Sequence, residues 1–454
     1  MSSTLIQNAT IASAEELRLG SVLISGDRIS DISYDGQIPS GKADVVIDAT
    51  GYLLFPGIID DHVHFREPGL THKATIASES RAAVAGGVTT VFDMPNCIPQ
   101  TTTIQALHDK CDTAARDSLT NYSFYLGATH DNISQIGDID PATTCGVKLF
   151  MGSSTGNMLV DDRTDVLNIL KASPVLVAAH CEDSGIISRN MQHYTELCGT
   201  EPPVSYHPLI RSAEACYASS ALAIELADKA SAHLHLLHIS TARELSLLRQ
   251  GDVRGKNITA EACPAHLFFT DADYGTLGSR IKCNPAIKTR NDREALRSAV
   301  ASGLIDVVGT DHAPHLLEEK TGGCKSAASG MPVLPYSLSA MLEMADEGAF
   351  SICDIVRTMC NNPARLFNIK ERGFIRAGYK ADLTLVKKHT DNDRDAGEWT
   401  VRDDSVPNRC GWSPFDGYKF KYKVAYTWVN GNPVYSQGII SDNYRGEQVI
   451  FDRL

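Results

Sequence analysis

The rhythm of apolar and polar positions changes twice along this chain. Up to about residue 54, short apolar runs alternate with turn residues. Ser21-Val22-Leu23-Ile24 leads into the turn pair Gly26-Asp27, and Val45-Val46-Ile47 follows further on. Such runs predict short strands. From about 57 to 375 the texture is different. Eight apolar, β-branched runs, at 57–64, 89–94, 122–127, 146–150, 175–180, 234–240, 258–263 and 306–311, are separated by longer helical-looking stretches. This alternation implies a parallel sheet with right-handed crossovers. Eight such units fit a (β/α)8 barrel of the TIM type. The alternative is an open doubly wound sheet, but no Gly-x-Gly-x-x-Gly phosphate loop follows the first predicted strand. After about 375, turns and short strands return. Ala425–429 and Pro433-Val434-Tyr435 flank Asn430-Gly431-Asn432 and read as a hairpin. The two ends share a character that the middle lacks. The expected fold class is therefore α/β: a (β/α)8 TIM-type barrel over 55–375 and a small β-sandwich domain built from both termini, 1–54 plus 376–454. The polar stretch 387–404 is expected to form a surface excursion.

Composition narrows the class. The 454 residues suffice for one large core and a smaller one. A formal charge of −13, with no long lysine or arginine run, argues against nucleic acid or an anionic membrane as partner. There is no uninterrupted apolar stretch of about 18 residues, so no spanning helix is expected. The start, Met1-Ser2-Ser3-Thr4, has no secretory pattern, and a cytoplasmic protein is expected. The 12 cysteines are scattered without a Cys-x-x-Cys pair. They read as reduced, mostly buried thiols, Cys181 and Cys263 among them.

The chemistry lies at the ends of the predicted strands. In a barrel of this type the active site sits at the C-terminal strand ends. The first strand delivers His62 and His64, two apart and so on one face. An HxH pair alone is a weak signal, because such pairs are commonly surface or core residues. Later strands add Lys148, His180, His238 and Asp311 at the same end. Neutral imidazoles suit zinc and related divalent metals, and Asp adds a hard oxygen. Lys148 has two readings. It is either a salt-bridge partner, or a lysine carboxylated by carbon dioxide whose oxygens bridge two metals. A two-metal site would activate a water and polarise a carbonyl, with Asp311 moving the proton.

These motifs resemble the dihydroorotases of the amidohydrolase superfamily. The matching stretches are Asp61-His62-Val63-His64-Phe65-Arg66-Glu67-Pro68-Gly69, Asp93-Met94-Pro95-Asn96, Val147-Lys148-Leu149-Phe150, Ala179-His180-Cys181-Glu182, His238-Ile239-Ser240-Thr241, Cys283-Asn284-Pro285 and Gly309-Thr310-Asp311-His312-Ala313-Pro314-His315. They span nearly the whole barrel in the family's order. The resemblance implies two Zn2+ per chain. His62 and His64 would hold the first, with Asp311 in reach, and His180 and His238 the second. Lys148, N6-carboxylated, would bridge them, although some members of the family use an aspartate on another segment. Asp311 would be catalytic.

The implied reaction is the reversible closure of N-carbamoyl-L-aspartate to L-dihydroorotate in pyrimidine synthesis. Its substrates carry a carboxylate that dihydrouracil, hydantoin and allantoin lack. Arg66 is expected to read it with a bidentate fork; the bland alternative is a salt bridge with Glu67 or Asp61. Asn96, Asn284 and His315 are further expected substrate contacts, with backbone groups near Gly330 and Pro332 in a Gly-rich segment that closes over the ligand or stays a surface loop. Two departures from the family stand out. Ala265-His266 keeps only the second histidine of a common pair, so His266 is expected to be structural. Ala286 and Lys288 stand where relatives often carry Pro and Arg. The remaining histidines, His207, His235 and His312 included, are expected to be structural or at the surface. A homodimer is the family expectation. The rivals are another cyclic amidase, such as an allantoinase or dihydropyrimidinase, and a catalytically dead scaffold, a class that typically loses ligands retained here.

Overall fold

The computed structural model describes residues 3–152, 158–389 and 399–453. The chain opens with β1 (Ser3–Ala12), β2 (Leu17–Ser25), β3 (Arg28–Tyr34), β4 (Val45–Asp48) and β5 (Tyr52–Pro56). Eight barrel strands follow: β6 (Ile58–Val63), β7 (Val88–Asp93), β8 (Asn121–Gly127), β9 (Gly146–Phe150), β10 (Val177–His180), β11 (Leu234–Leu236), β12 (Ile258–Ala262) and β13 (Val307–Val308). The chain returns to the first sheet with β14 (Leu383–Lys388), β15 (Tyr422–Val429), β16 (Asn432–Ser436) and β17 (Ile439–Ile440).

Strands β6 to β13 form one parallel sheet in sequence order, with helices in the crossovers. Helices outside and packed side chains inside leave nearly every strand residue buried. Continuous apolar runs, rather than alternating ones, are what such strands require. The last predicted run is mostly not strand: β13 keeps two residues, and the chain then leaves the ladder. Likewise β11 ends two residues before His238. The ring still closes, because His312 pairs in parallel with Val63, and the His64 amide donates to the His312 carbonyl at 2.8 Å.

Strands from both ends of the chain form one nine-stranded mixed sheet. Its order is β17-β16-β15-β14-β5-β1-β2-β3, with β4 on β1. The two ends of the chain meet where β14 pairs antiparallel with β5. The sheet surrounds its own core, including Ile6, Ile24, Leu54, Leu383 and Trp428. The predicted hairpin turns on Asn430 and Gly431, both at positive φ (47° and 76°), as a two-residue turn between strands demands. Two parts of the 376–454 segment pack on the barrel instead. Phe415 and Phe420 join a cluster with Phe269 and Tyr336, and Val449 and Phe451 pack with Phe92, Tyr125 and Phe367. The expected excursion 387–404 lies partly outside the described residues. Among the described residues no helix is long and apolar enough to cross a membrane, and the cysteines are unpaired, most of them buried.

A buried polar knot ties the sheet to the barrel. Arg372 forms an ion pair with Asp382 and reaches Asn430 Oδ1 at 2.5 Å. The Asp382 carboxylate also accepts from the Asn430 amide at 2.8 Å and from Asn121 Nδ2 on β8 at 3.2 Å. Removing one partner of such a pair strands the other charge in low dielectric. Asp382→Ala is therefore expected to lose about 3–5 kcal/mol of stability, read as a lower denaturant midpoint in equilibrium unfolding. Asp382→Asn, which keeps the shape and part of the hydrogen bonding, is expected to lose less.

Candidate active site

His62, His64, Lys148, His180, His238 and Asp311 line one cavity of about 440 Å3 at the C-terminal ends of the strands. His62 Nδ1 lies 2.9 Å from Glu261 Oε1, and His64 Nδ1 lies 2.7 Å from Asn96 Oδ1. An imidazole that donates through Nδ1 keeps a lone pair on Nε2. Both Nε2 atoms face one oxygen, Asp311 Oδ1, at 3.3 and 3.0 Å. Burial pushes His62 down to about 3 and His64 down to about 4, so both stay neutral near pH 7. Two imidazoles and a carboxylate thus converge on one point, with His64 Nε2 within hydrogen-bond distance of Asp311 Oδ1. His62 Nε2 is buried and has no hydrogen-bond partner. The donor set of two imidazoles and one carboxylate suits a divalent metal.

The second pair is built the same way. His180 Nε2 lies 3.0 Å from Glu182 Oε2, and Arg211 forms an ion pair with the same oxygen. This leaves His180 Nδ1 facing His238 Nε2 at 3.0 Å. Burial lowers both imidazoles, His238 well below its ordinary value. The two clusters adjoin, since the His62 ring centroid is 5.4 Å from those of both His64 and His238. Lys148 lines the same cavity and is 1% exposed. Its Nζ lies 4.6 Å from the Phe150 ring centroid, and no carboxylate pairs with it among the described residues. The salt-bridge reading of Lys148 therefore fails. Burial lowers its amine to about 8, so a sizeable neutral fraction exists near neutral pH.

Three of these residues sit in left-handed backbone: Arg66 (φ 67°), His238 (φ 40°) and Asp311 (φ 49°). Each such position costs on the order of 1–3 kcal/mol and persists only where surroundings over-determine it. The strain follows from where these residues lie, just past their strands, where the chain turns to aim a side chain into the cavity.

Arg66 brings a positive charge to the same cavity. Arg66 is 8% exposed. Its Nε donates to the Pro314 carbonyl at 3.0 Å, and its Nη2 lies 3.1 Å from His315 Nε2. No carboxylate pairs with it among the described residues. Glu67 instead accepts from the Ile76 amide at 2.8 Å, and Asp61 faces His235 at 3.4 Å. Lys73 Nζ donates to His315 Nδ1 at 3.1 Å. Burial, with the charges of Arg66, Lys73 and Lys320, holds His315 far below its ordinary value and so neutral. Asn96, Asn284 and Gly330 also line the cavity. Pro332 does not. Met331 pairs with His312 in a short bridge, which turns the buried Pro332 away from the opening.

Several cavity residues carry no local sequence signal. His207, expected to be structural or at the surface, lines the cavity and lies 3.1 Å from Asn284 Oδ1. Arg211 and Lys282 line it too. The loop expected to close over the ligand is already folded against the barrel. Lys320 Nζ donates to the carbonyls of Lys282, Ala328 and Gly330 at 2.9, 2.7 and 2.8 Å. His266 stays outside the lining, bonded to the Pro285 carbonyl at 3.0 Å.

Comparison with known proteins agrees with this geometry. A model of the amidohydrolase family matches residues 164–434, and a dihydro-orotase-like model matches 51–244. A protein of Halobacterium salinarum named dihydroorotase is 34% identical over 433 residues, covering 92% of this chain and 96% of the relative. Another of that name, from Ehrlichia canis, is 33% identical over 428 residues, covering 92% and 91%. Among solved structures, the L-hydantoinase (dihydropyrimidinase) of Arthrobacter aurescens superposes with a TM-score of 0.91 at 25% identity, covering 99% of this chain and 100% of that one. The chain belongs to the amidohydrolase family, on its dihydroorotase-like branch, and is an enzyme that hydrolyses cyclic amides.

Proposed function

We propose that this enzyme is a zinc-dependent dihydroorotase, which closes N-carbamoyl-L-aspartate to L-dihydroorotate and opens it again in de novo pyrimidine (UMP) synthesis. The observation that carries the choice of substrate is Arg66. A buried guanidinium with no carboxylate partner, facing a cavity, asks for an anion from outside the chain. Dihydroorotate and N-carbamoyl-aspartate bring one; hydantoin, dihydrouracil and allantoin do not. The rival reading, a hydantoinase, draws support from the likeness to solved hydantoinases, but it leaves Arg66 without a task.

In this reading His62 and His64 hold one zinc with Asp311 in reach, and His180 and His238 hold the other. Lys148, as an N6-carboxylate, would complete the ligand set. Its neutral amine is what reaction with carbon dioxide requires: nitrogen bonds to carbon, and one proton leaves to solvent. When bound, the two ions supply Lewis-acid polarisation of the scissile carbonyl and lower the pKa of the attacking water. Arg66 grips the substrate carboxylate, with neutral His315 beside it. Asn96, fixed through Oδ1 by His64, keeps its amide hydrogens for the ligand. Asn284 and the backbone at Gly330 orient the ring. Asp311 takes the proton of the attacking water and gives it to the leaving ring nitrogen. In the synthetic direction the ureido nitrogen attacks the side-chain carboxyl carbon, and Asp311 takes its proton and gives it to the departing oxygen, which leaves as water. On the same reading the enzyme works as a cytoplasmic homodimer, and light scattering on the purified chain checks the dimer.

Three outcomes are expected. Purified metal-loaded protein opens L-dihydroorotate rapidly and leaves hydantoin, dihydrouracil and allantoin largely intact; a preference for any of the last three sinks the assignment. Arg66→Met lowers kcat/KM for dihydroorotate by about ten- to a hundredfold through loss of charge-assisted hydrogen bonds, while metal content by elemental analysis stays at the wild-type value. Chelation removes two metal equivalents and abolishes turnover, and zinc restores it. Native mass spectrometry of the untreated chain then shows an added carbon dioxide that Lys148→Met lacks. An unmodified Lys148 with full zinc content contradicts the bridging role.

A further inference from the structure

At the opposite, N-terminal face of the barrel, two cavities of about 440 and 550 Å3 meet at Arg254, Arg365 and Asn368. Their walls run against the charge of the whole. The chain carries a formal charge of −13, yet lysines and arginines outnumber carboxylates in both linings. Of the carboxylates there, Glu371 is engaged by Arg28 at 2.7 Å, and Asp452 lies exposed at the rim.

Some of the cations are already spent. Lys256 pairs with Asp306 at 2.7 Å, and Arg372 is held in the buried knot with Asp382. Others are not. Among the described residues, Lys171, Arg365, Lys370 and Arg376 have no carboxylate within ion-pair distance. Arg365 is held over the Phe374 ring at 5.2 Å, which fixes its direction without neutralising it. Arg376 lies 5.3 Å from the Tyr379 ring. Phe374 and Tyr379 give one cavity an apolar wall.

We propose that this paired cleft binds a polyphosphate anion, either free or carried on a nucleoside. Several unpaired cations in a concave site favour a small ligand of high charge density, and guanidinium forks match phosphate oxygens bidentately. Two cavities joined at Arg365 favour an elongated chain over a single phosphate. The aromatic wall at Phe374 and Tyr379 offers a place for an attached base. A nucleic acid fits less well, because it needs a long basic stripe and a basic overall charge. The site is separate from the catalytic cavity and shares no lining residue with it.

The test is calorimetric titration of the metal-loaded full chain with sodium triphosphate, uridine triphosphate and inorganic phosphate. The wild type is expected to bind triphosphate more tightly than phosphate, with affinity falling as salt rises. The double variant Arg365→Ala/Lys370→Ala is expected to bind triphosphate at least about tenfold more weakly, as is Lys171→Glu, each with a wild-type circular dichroism spectrum and unchanged ring-opening activity in the absence of anion. Tighter binding of the nucleotide than of triphosphate identifies the nucleoside-borne form, and equal binding identifies the free anion. No binding overturns the proposal. So does binding that survives in both variants, because it would belong to the metal centre.

Discussion

Everything at the active site depends on how the first and last barrel strands are joined. The ladder between them is almost absent, since β13 has only two residues. What reinforces the short His312–Val63 bridge is a buried aspartate side chain. Asp60 Oδ1 accepts from the Thr310 amide at 2.9 Å and from the His62 amide at 3.2 Å, and Asp60 Oδ2 accepts from the Thr310 hydroxyl at 2.6 Å. One side chain thus pins the backbone on both sides of the seam. His62 and His64 lie just beyond it on one strand and Asp311 just beyond it on the other. The short distances from Asp311 to both imidazoles follow from that pinning.

Around this seam the cavity is polarised. One wall presents neutral imidazoles with their lone pairs turned inward, fixed in that state by partners behind them: Glu261, Asn96 and Glu182. Another part of the lining presents Arg66 beside His315, which burial and nearby positive charge keep neutral. Candidate metal ligands and the buried guanidinium of Arg66 thus line one cavity of about 440 Å3. Fixed dipoles and charges of this kind need no rearrangement when the reaction begins.

The second sheet serves this arrangement from outside. The Arg372–Asp382 knot holds it to β8, and the C-terminal segment seals the barrel base through Val449 and Phe451. The barrel is thus closed at its base by the end of the chain and open at its mouth, where the loops are held by lysines bonded to backbone carbonyls.

Much of this was legible in the order of residues. Apolar runs of strand length, alternating with helical stretches, announce a parallel barrel, because a strand buried on both faces has no polar alternation to show. His62 and His64 two apart, and single ionisable residues at later strand ends, announce the metal-binding mouth, because the fold places all strand ends of one polarity on one face. What local pattern does not carry is partnership between residues far apart in the chain. That Arg66 is free of Glu67 and Asp61, that Lys148 has no ion-pair partner among the described residues, that His207 reaches the cavity and that Pro332 does not were decided by packing across separations of up to hundreds of residues. The same holds for the rings of His62 and His180, which are held by Glu261 and Glu182 behind them. A sequence fixes which side chains a strand end offers, through the short-range periodicity of the backbone. Only the closed barrel decides which of them meet, because charge pairing and desolvation act through space and not along the chain.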